Sequence, residues 1–262
     1  MLCDKREKVM LLFLKKAFRI FRKCFYSALL FYPRRVKCNI CGWKGRRFLS
    51  DSWHRFVNCP GCMSGVRQRL FFAALEKLDL FSFERLFNNK RVLHFAPEEA
   101  LFGKLKAGTA LYNSADLFRS DCDLRLNMAD MPEIESNSYD VVIAFDVLEH
   151  ICDYEKALDE VFRILDENGT AIFTVPQKDF LEKTYEDSSL ITPEERLKHF
   201  GQFDHVRIFG NDFEEILSRH GFSVLKIDEN DFEKDYVRRH ILCPPVKSKH
   251  PLATNFRKVF FW

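Results

Sequence analysis

The clearest alternation of hydrophobic and polar positions lies in residues 138–176, where it predicts a strand, a helix and a second strand. Residues 141–145 form a continuous apolar run rich in β-branched side chains, as expected for a strand buried on both faces. Across residues 153–165, apolar side chains recur every three or four positions, which indicates an amphipathic helix. Asn168-Gly169 is predicted to cap this helix, and residues 170–175 form the next predicted strand.

Polar residues follow the first of these strands directly. A strand, a helix and a strand joined by short connections predict a right-handed parallel crossover. In such sheets, ligands bind at the carboxyl ends of the strands. This geometry places Phe145, Asp146, Glu149 and His150 at a candidate site.

The same kind of pattern extends on both sides of this unit. Strands are predicted at residues 90–95, 110–115 and 222–227, and helices at 71–87 and 211–221. Alternating strands and helices of this kind predict an α/β fold.

The positive charge of the chain is concentrated at its N-terminus. The formal net charge is only +3, but residues 1–36 carry ten Lys and Arg against Asp4 and Glu7, so +8 lies there and −5 in the remainder. A mildly acidic body is not typical of a general nucleic-acid-binding protein. Nine cysteines without a secretory signal favour a reducing cytoplasm.

The basic N-terminal segment is also amphipathic. On a helical wheel, Lys15, Lys16, Arg19, Arg22 and Lys23 occupy one arc, and apolar side chains cover the opposite arc. No uncharged run reaches the roughly 18–20 residues of a membrane-spanning helix. The pattern predicts either a helix that lies on an anionic membrane surface through residues 8–32, on the inner face of the membrane, or one that packs on its own domain.

Two cysteine pairs predict a metal site. Cys38 and Cys41 form one Cys-x-x-Cys pair, Cys59 and Cys62 form another, and Gly42 with Pro60-Gly61 supplies turn residues. Two such pairs at this spacing are the zinc-ribbon pattern, and four thiolates complete a tetrahedral Zn²⁺ site with no open position. The predicted zinc is therefore structural. A redox or disulfide role is the alternative reading of the cysteines.

The segment that begins Tyr-Asp-Val-Val at residue 139 and continues through Leu148-Glu149-His150 resembles the class I S-adenosylmethionine-dependent methyltransferases of the type 11 kind. The resemblance covers residues 91–227. It implies a Rossmann-like, seven-stranded α/β sheet in residues 90–245. The other predicted parts are a basic amphipathic helix at 1–36, a zinc-ribbon-like module at 37–70, a linking helix at 71–89 and a tail at 246–262.

The resemblance also implies where S-adenosylmethionine binds. The loop after the first strand, residues 96–101, has no Gly-x-Gly-x-Gly, but a subset of zinc-ribbon-bearing methyltransferases also shows Val-Leu-His-x-Ala-Pro-Glu here. Asp116, after the second strand, is expected to bind the ribose hydroxyls, and Asn127 to bind the adenine amino group. The cofactor-binding residues that the resemblance implies are His94, Ala96, Glu98, Asp116, Leu117, Asn127, Met128, Phe145 and Asp146. Simple helix capping is the alternative interpretation of Glu98.

A polar stretch at residues 199–210 is predicted to form the acceptor side of the site. Methyl transfer to a hydroxyl needs a general base, and a histidine suits that role. His205, with Asp204 or Glu149 beside it, is the first candidate, and His150 is the second. Tyr185, His199, Asp204 and Arg207 are the predicted substrate residues.

Three functional hypotheses remain open from the sequence. The first is a methyltransferase acting on an unidentified acceptor, such as a glycan or a lipid-linked hydroxyl. The second is a ribosomal or transfer RNA methyltransferase, which the acidic body disfavours. The third is a non-catalytic zinc-ribbon scaffold with a degenerate methyltransferase fold, which the absence of the glycine-rich loop favours and the retained Asp116 disfavours.

Overall fold

The computed structural model describes residues 17, 20–21, 24–51, 54–78, 82–178, 180–243 and 258–261 of the chain. The predicted helix at 8–32 and the predicted tail at 246–262 therefore lie partly outside the described residues. The helices are α1 (Val66–Lys77), α2 (Phe83–Phe87), α3 (Glu99–Lys106), α4 (Tyr154–Ile164), α5 (Pro193–Phe200), α6 (Phe213–Arg219) and α7 (Lys234–His240). The strands are β1 (Val36–Lys37), β2 (Lys44–Gly45), β3 (Arg91–Phe95), β4 (Leu111–Ala115), β5 (Tyr139–Phe145), β6 (Leu165–Thr174), β7 (Tyr185–Glu186), β8 (Arg207–Ile208), β9 (Leu225–Ile227) and β10 (Val259–Phe261).

A mixed sheet forms the centre of the molecule. Its order is β4-β3-β5-β6-β10-β9. The pairs β3–β4, β3–β5 and β5–β6 are parallel, whereas β10 is antiparallel to both of its neighbours. The Rossmann-like α/β class is confirmed. The described residues contribute six strands to this sheet, where seven were expected.

Two local predictions are corrected. The helix predicted at 153–165 is present, but Asn168-Gly169 does not cap it, because α4 ends at Ile164 and Leu165 already has the extended backbone of β6. The helix predicted at 71–87 is two helices, since α1 ends at Lys77 and α2 begins at Phe83. In both places the apolar periodicity continues past the point where the backbone leaves the helix.

The C-terminal residues belong to the sheet. Val259–Phe261, placed in a tail by the sequence analysis, pair with both β6 and β9 as β10. All three side chains are buried, and the rings of Phe260 and Phe213 have centroids 4.9 Å apart. This strand joins the sheet edge formed by β9 to its parallel half.

The two faces of the sheet bury different elements. Val141, Ile143 and Phe145 of β5 face one side, where they pack in one cluster with α1 and the cysteine module. Val142 and Ala144 face the other side, where they pack with α4 and α6. This alternation follows from the two-residue period of a strand. The cysteine module therefore shares its core with one face of the sheet.

Arg69 of α1 holds the cysteine module in place. Its side chain is fully buried and donates hydrogen bonds to the backbone carbonyls of Val57, Ser64, His240 and Ile241, at 2.6–2.9 Å. Burial lowers the pKa of Arg69 to about 10, so the guanidinium stays charged near neutral pH. One side chain thus ties the module to the end of α7.

Candidate functional site

Two neighbouring strands end in backbone conformations that favour glycine. Ala96, after β3, has φ of 45°, and Asp146, after β5, has φ of 52°. Non-glycine residues adopt positive φ infrequently, and such strain concentrates at functional sites. The loop after β3 therefore makes its left-handed turn with alanine, although it lacks the glycines of the usual motif.

A cavity of about 580 Å³ opens beside these two turns. Such a volume is in the range of ligand-binding pockets. Six of the nine predicted cofactor residues line it: Ala96, Asp116, Leu117, Asn127, Met128 and Asp146. Its remaining lining residues are Phe95, Phe118, Leu126, Val147, His150, Ile151, Cys152, Arg196 and Asp204. We call this space the cofactor cavity.

Asp116 shapes the loop at one edge of the cofactor cavity. Its Oδ1 accepts hydrogen bonds from the backbone N–H groups of Phe118 and Arg119, at 2.8 and 2.9 Å. Arg119 in turn donates to the carbonyl of Pro97 at 2.9 Å, which joins the loops after β3 and β4. The carboxylate thus forms a turn and also lines the cavity, and its contact with the ribose stays a prediction.

The other three predicted cofactor residues are absent from the described lining of this cavity. His94 is fully buried, its Nδ1 lies 2.7 Å from the Tyr112 hydroxyl, and burial lowers its pKa to about 3. Phe145 packs edge-on against Phe71 of α1, with centroids 5.3 Å apart. Glu98 Oε1 accepts hydrogen bonds from the side chains of Arg67 and Gln68 of α1. Strand register and the fold of the preceding module, which sequence patterns do not reveal, direct these three side chains elsewhere.

Arg67 of α1 was not among the predicted site residues, yet it joins both turns. Its guanidinium binds Glu98 Oε1 at 2.6 Å through Nη2, and Asp146 Oδ2 at 2.8 Å through Nη1. Burial alone would lower the pKa of Arg67, but Asp146 and Glu98 raise it above its usual value. Asp146 is held from the other side by Thr174, whose hydroxyl donates to its Oδ1 at 2.7 Å. Arg67 lies far in sequence from both carboxylates, so only the fold reveals this pairing.

A second cavity, of about 270 Å³, lies between the cysteine module and the ends of the strands. It shares Asp146 and His150 with the cofactor cavity. Its remaining lining is Asp51, His54, Val57, Asn58, Gly65, Val66, Arg67, Glu149, Pro176, Gln202 and His205. We call it the acceptor cavity, after the stretch 199–210 predicted to form the acceptor side, of which Gln202 and His205 line it.

Glu149, His150 and His205, the three predicted catalytic residues, come together where the two cavities meet. Glu149 Oε1 lies 4.0 Å from Nε2 of each histidine. The two imidazole rings pack edge to face, with their centroids 4.6 Å apart. The Nδ1 of His150 lies 3.2 Å from Asp204 Oδ2. Glu149 and His205 are buried, and burial lowers the pKa of His205 to about 4. The His205 ring is therefore neutral near pH 7, with a lone pair available.

Arg207, predicted to bind substrate, instead supports this cluster. It is buried and donates to the backbone carbonyls of Leu148, Ile151 and Cys152, which follow β5, and to the carboxylate of Glu186. Its donors are thus directed to the protein itself, and the prediction of substrate contact is corrected to a structural role.

The remaining predicted substrate residues divide between the cavities and the surface. Asp204 lines the cofactor cavity. Tyr185 and His199 contact each other at 3.4 Å on an exposed part of the chain, and neither is among the described lining residues of the two cavities.

The four cysteines of the two pairs converge on one point. Cys38 Sγ lies 3.7 Å from Cys62 Sγ, and Cys41 Sγ lies 3.6 Å from Cys59 Sγ. Tetrahedral thiolates bound at about 2.3 Å to Zn²⁺ have sulfur–sulfur distances of about 3.8 Å. These separations and the donor set both fit zinc. They are far longer than a disulfide bond of about 2.0 Å.

Comparison with known proteins gives one family match. A family model described as a methyltransferase domain matches residues 61–227. A search of curated proteins finds no match. Among solved structures, an S-adenosylmethionine-dependent methyltransferase from Mesorhizobium loti is 14% identical, with a TM-score of 0.48, covering 75% of this chain and 99% of its own. A 1,6-didemethyltoxoflavin-N1-methyltransferase from Burkholderia thailandensis, with S-adenosylhomocysteine bound, is 12% identical, with a TM-score of 0.47. The match covers 75% of this chain and 76% of that protein.

Proposed function

The chain belongs to the methyltransferase-domain family, and on that premise we propose that it transfers the methyl group of S-adenosylmethionine to a hydroxyl of a glycan or lipid-linked acceptor. The observation that carries this proposal is the meeting of two cavities at Asp146 and His150. The larger has the volume for the cofactor, and the smaller opens onto a cluster of histidines and a carboxylate.

The cofactor cavity offers side chains suited to each part of S-adenosylmethionine. Asp116 has a second carboxylate oxygen to accept from the ribose hydroxyls while its Oδ1 holds the turn. Asn127 and Met128 lie together on the wall expected to hold adenine, and Asp146 lies at the end expected to hold the methionine group. When bound, S-adenosylmethionine supplies an activated methyl group on a sulfonium, so the protein's main task is to position the two reactants.

The acceptor cavity is where the acceptor oxygen reacts. The oxygen forms a bond to the methyl carbon, the carbon–sulfur bond breaks, and the electron pair stays on sulfur. The acceptor proton must also leave. Glu149, His150 and His205 stand beside this point, and their charge and lone pairs favour removal of that proton.

The cysteine cluster is proposed to hold a structural Zn²⁺. Cys38, Cys41, Cys59 and Cys62 supply four sulfur donors, which fill a tetrahedral site. The metal would fix the module that carries Arg67 and Arg69 toward the rest of the protein. Zinc would thus support the acceptor cavity, one wall of which is the cysteine module.

Calorimetric titration of the purified, zinc-replete protein with S-adenosylmethionine tests the proposed function. We expect saturable binding by the wild type and a loss of at least about tenfold in affinity for Asp116→Ala, the magnitude of one lost charged hydrogen bond. Asp121→Ala, an exposed aspartate nearby, is the matched control and should bind normally. If folded wild-type protein does not bind, the non-catalytic scaffold hypothesis replaces the enzyme.

Exposed apolar side chains near the N-terminus support a membrane-bound acceptor. Ile20, Phe21, Phe25 and Leu29 are each more than half exposed. Exposed Arg34, Arg35, Lys44, Arg46 and Arg47 lie nearby in the chain. Aromatic and basic side chains together suit an anionic lipid surface. None of the described helices is long and apolar enough to cross a membrane, so we propose contact with the surface only.

Vesicle sedimentation tests this contact. Wild-type protein should pellet with phosphatidylglycerol vesicles and much less with phosphatidylcholine vesicles. The double variant Phe21→Ser and Phe25→Ser should lose most of this binding, whereas Phe180→Ser, an exposed phenylalanine elsewhere, should retain it. If the double variant and Phe180→Ser sediment equally with the vesicles, the proposed contact of Phe21 and Phe25 with the membrane surface is excluded.

A further inference from the structure

The cluster at the junction of the cavities has the composition of a metal site. Two imidazoles and one carboxylate meet there, and one ligand atom from each of Glu149, His150 and His205 lies within 4.8 Å of the others. The Nε2 atoms of both histidines face the same oxygen, Glu149 Oε1, at 4.0 Å. These distances are too long for direct hydrogen bonds, and they leave a gap between the three donors.

The gap is close to the size of a coordinated ion. Ligands bound at about 2.1 Å in a tetrahedral arrangement have separations of about 3.4 Å. The distance from Glu149 Oε1 to each Nε2 would therefore need to shrink by about 0.6 Å, and the separation of the two histidine donors, which is at most 4.8 Å, by up to about 1.4 Å. Imidazole and carboxylate donors together suit divalent first-row transition metals. Three protein ligands leave a coordination position for an oxygen of another molecule.

The surroundings of the cluster resemble those of established metal ligands. The ring nitrogen of His150 that faces away from Glu149 lies 3.2 Å from the carboxylate of Asp204. Histidines that bind metals usually donate their second N–H to a carboxylate or carbonyl, which orients the ring. The backbone is held as well, because the N–H of Val206 donates to the carbonyl of Glu149 at 3.0 Å. The two chain segments that supply the donors are thereby joined directly.

We propose that Glu149, His150 and His205 bind a divalent transition metal ion, which coordinates the acceptor hydroxyl in the acceptor cavity. The role given to the metal ion rests on the proposed function, whereas metal binding itself does not. A coordinated hydroxyl would have a lowered pKa and would lose its proton to water. Its oxygen would then bond to the methyl carbon as the carbon–sulfur bond breaks, with the electron pair staying on sulfur. In this arrangement His205 acts as a metal ligand, in place of the free base expected from the sequence.

The test is manganese binding by the full-length protein that carries one zinc ion per chain, the amount that the four cysteines hold. Mn²⁺ is the probe because nitrogen and oxygen donors accept it, whereas the four-cysteine site favours zinc. Equilibrium dialysis, with free Mn²⁺ measured by electron paramagnetic resonance, should show one ion per chain. Glu149→Gln, nearly equal in shape, should weaken binding at least tenfold, and the double variant His150→Ala and His205→Ala should abolish it. His220→Ala removes a histidine that pairs with Asp159 and is not among the lining residues of the two cavities, and it should bind normally.

Zinc-replete wild type that takes up no Mn²⁺ would overturn the proposal, as would uptake that Glu149→Gln and the double variant leave unchanged. Titration of each variant with S-adenosylmethionine shows whether its cofactor cavity is still formed. If the protein binds the cofactor but not Mn²⁺, the proposed metal site is wrong and the proposed methyltransferase function stands. If the protein binds Mn²⁺ but not the cofactor, the metal site stands and the proposed function is wrong.

Discussion

The contacts of Arg67 yield a quantitative prediction for Arg67→Ala. The substitution removes two short charge-assisted contacts, to Glu98 at 2.6 Å and to Asp146 at 2.8 Å. The side chains of both carboxylates are less than a fifth exposed, so water replaces the guanidinium poorly. Breaking a fully buried ion pair costs about 3–5 kcal/mol. Because Arg67 itself is one-third exposed, we expect a loss of about 2–3 kcal/mol in the free energy of unfolding.

The loss should depend on pH in a defined direction. Burial raises the pKa of Glu98 above its usual value, although Arg67 opposes this. Without Arg67 the pKa of Glu98 rises further. The native variant then binds a proton more readily than the unfolded chain, so acidification stabilises it relative to the unfolded state. The difference in stability between wild type and Arg67→Ala should therefore shrink between about pH 7.5 and about pH 5.

Urea denaturation, followed by circular dichroism at both pH values, measures this effect. Arg238→Ala is the matched control, because Arg238 forms an exposed pair with Asp235 that should contribute less than about 1 kcal/mol. Adding Glu98→Gln to Arg67→Ala should recover part of the loss at the higher pH. The reasoning is refuted if Arg67→Ala behaves like Arg238→Ala, or if its deficit is the same at both pH values.

Three further substitutions test other parts of the structure. Ala96→Gly should stabilise the protein by about 0.5–1 kcal/mol in urea denaturation, since φ is 45°, whereas Ala107→Gly at φ −71° should destabilise it. His94→Gln should flatten the acid side of the stability profile: burial lowers the pKa of His94 to about 3, so below about pH 6.5 the unfolded chain takes up a proton that the native ring does not, and stability falls by up to about 1.4 kcal/mol per pH unit. An unchanged slope would contradict this. Cys59→Ser should remove bound zinc, measured by atomic emission, and lower the melting temperature, whereas Cys122→Ser should leave zinc content unchanged.

Local sequence patterns were enough to predict the elements at the centre of the fold. The apolar run of β5, the helical period of α4 and the apolar run of β6 each reflect which side chains one element buries, so a short window suffices to recognise them. The spacing of the cysteine pairs likewise reflects the local geometry of a turn. The polar residues after β5 could be placed at the site because parallel strands bring their carboxyl ends to one edge.

Tertiary structure alone decided which side chains reach the cavities. His94 and Phe145 lie at strand ends as predicted, but the register of the sheet buries them against Tyr112 and Phe71. Arg207 looked available for substrate, whereas its donors are directed to backbone carbonyls brought together by the fold.

The longest-range features were invisible to the sequence analysis. Arg67 meets Asp146 across 79 positions of the chain, and β10 enters the sheet between two strands that precede it. No local period records such pairings, because they depend on how separate elements pack. The acceptor cavity exists for the same reason, since the cysteine module forms one wall and the strand ends form the other. Local patterns specify the elements and the chemistry that they carry, whereas the packing of the cysteine module on the sheet sets where those side chains meet.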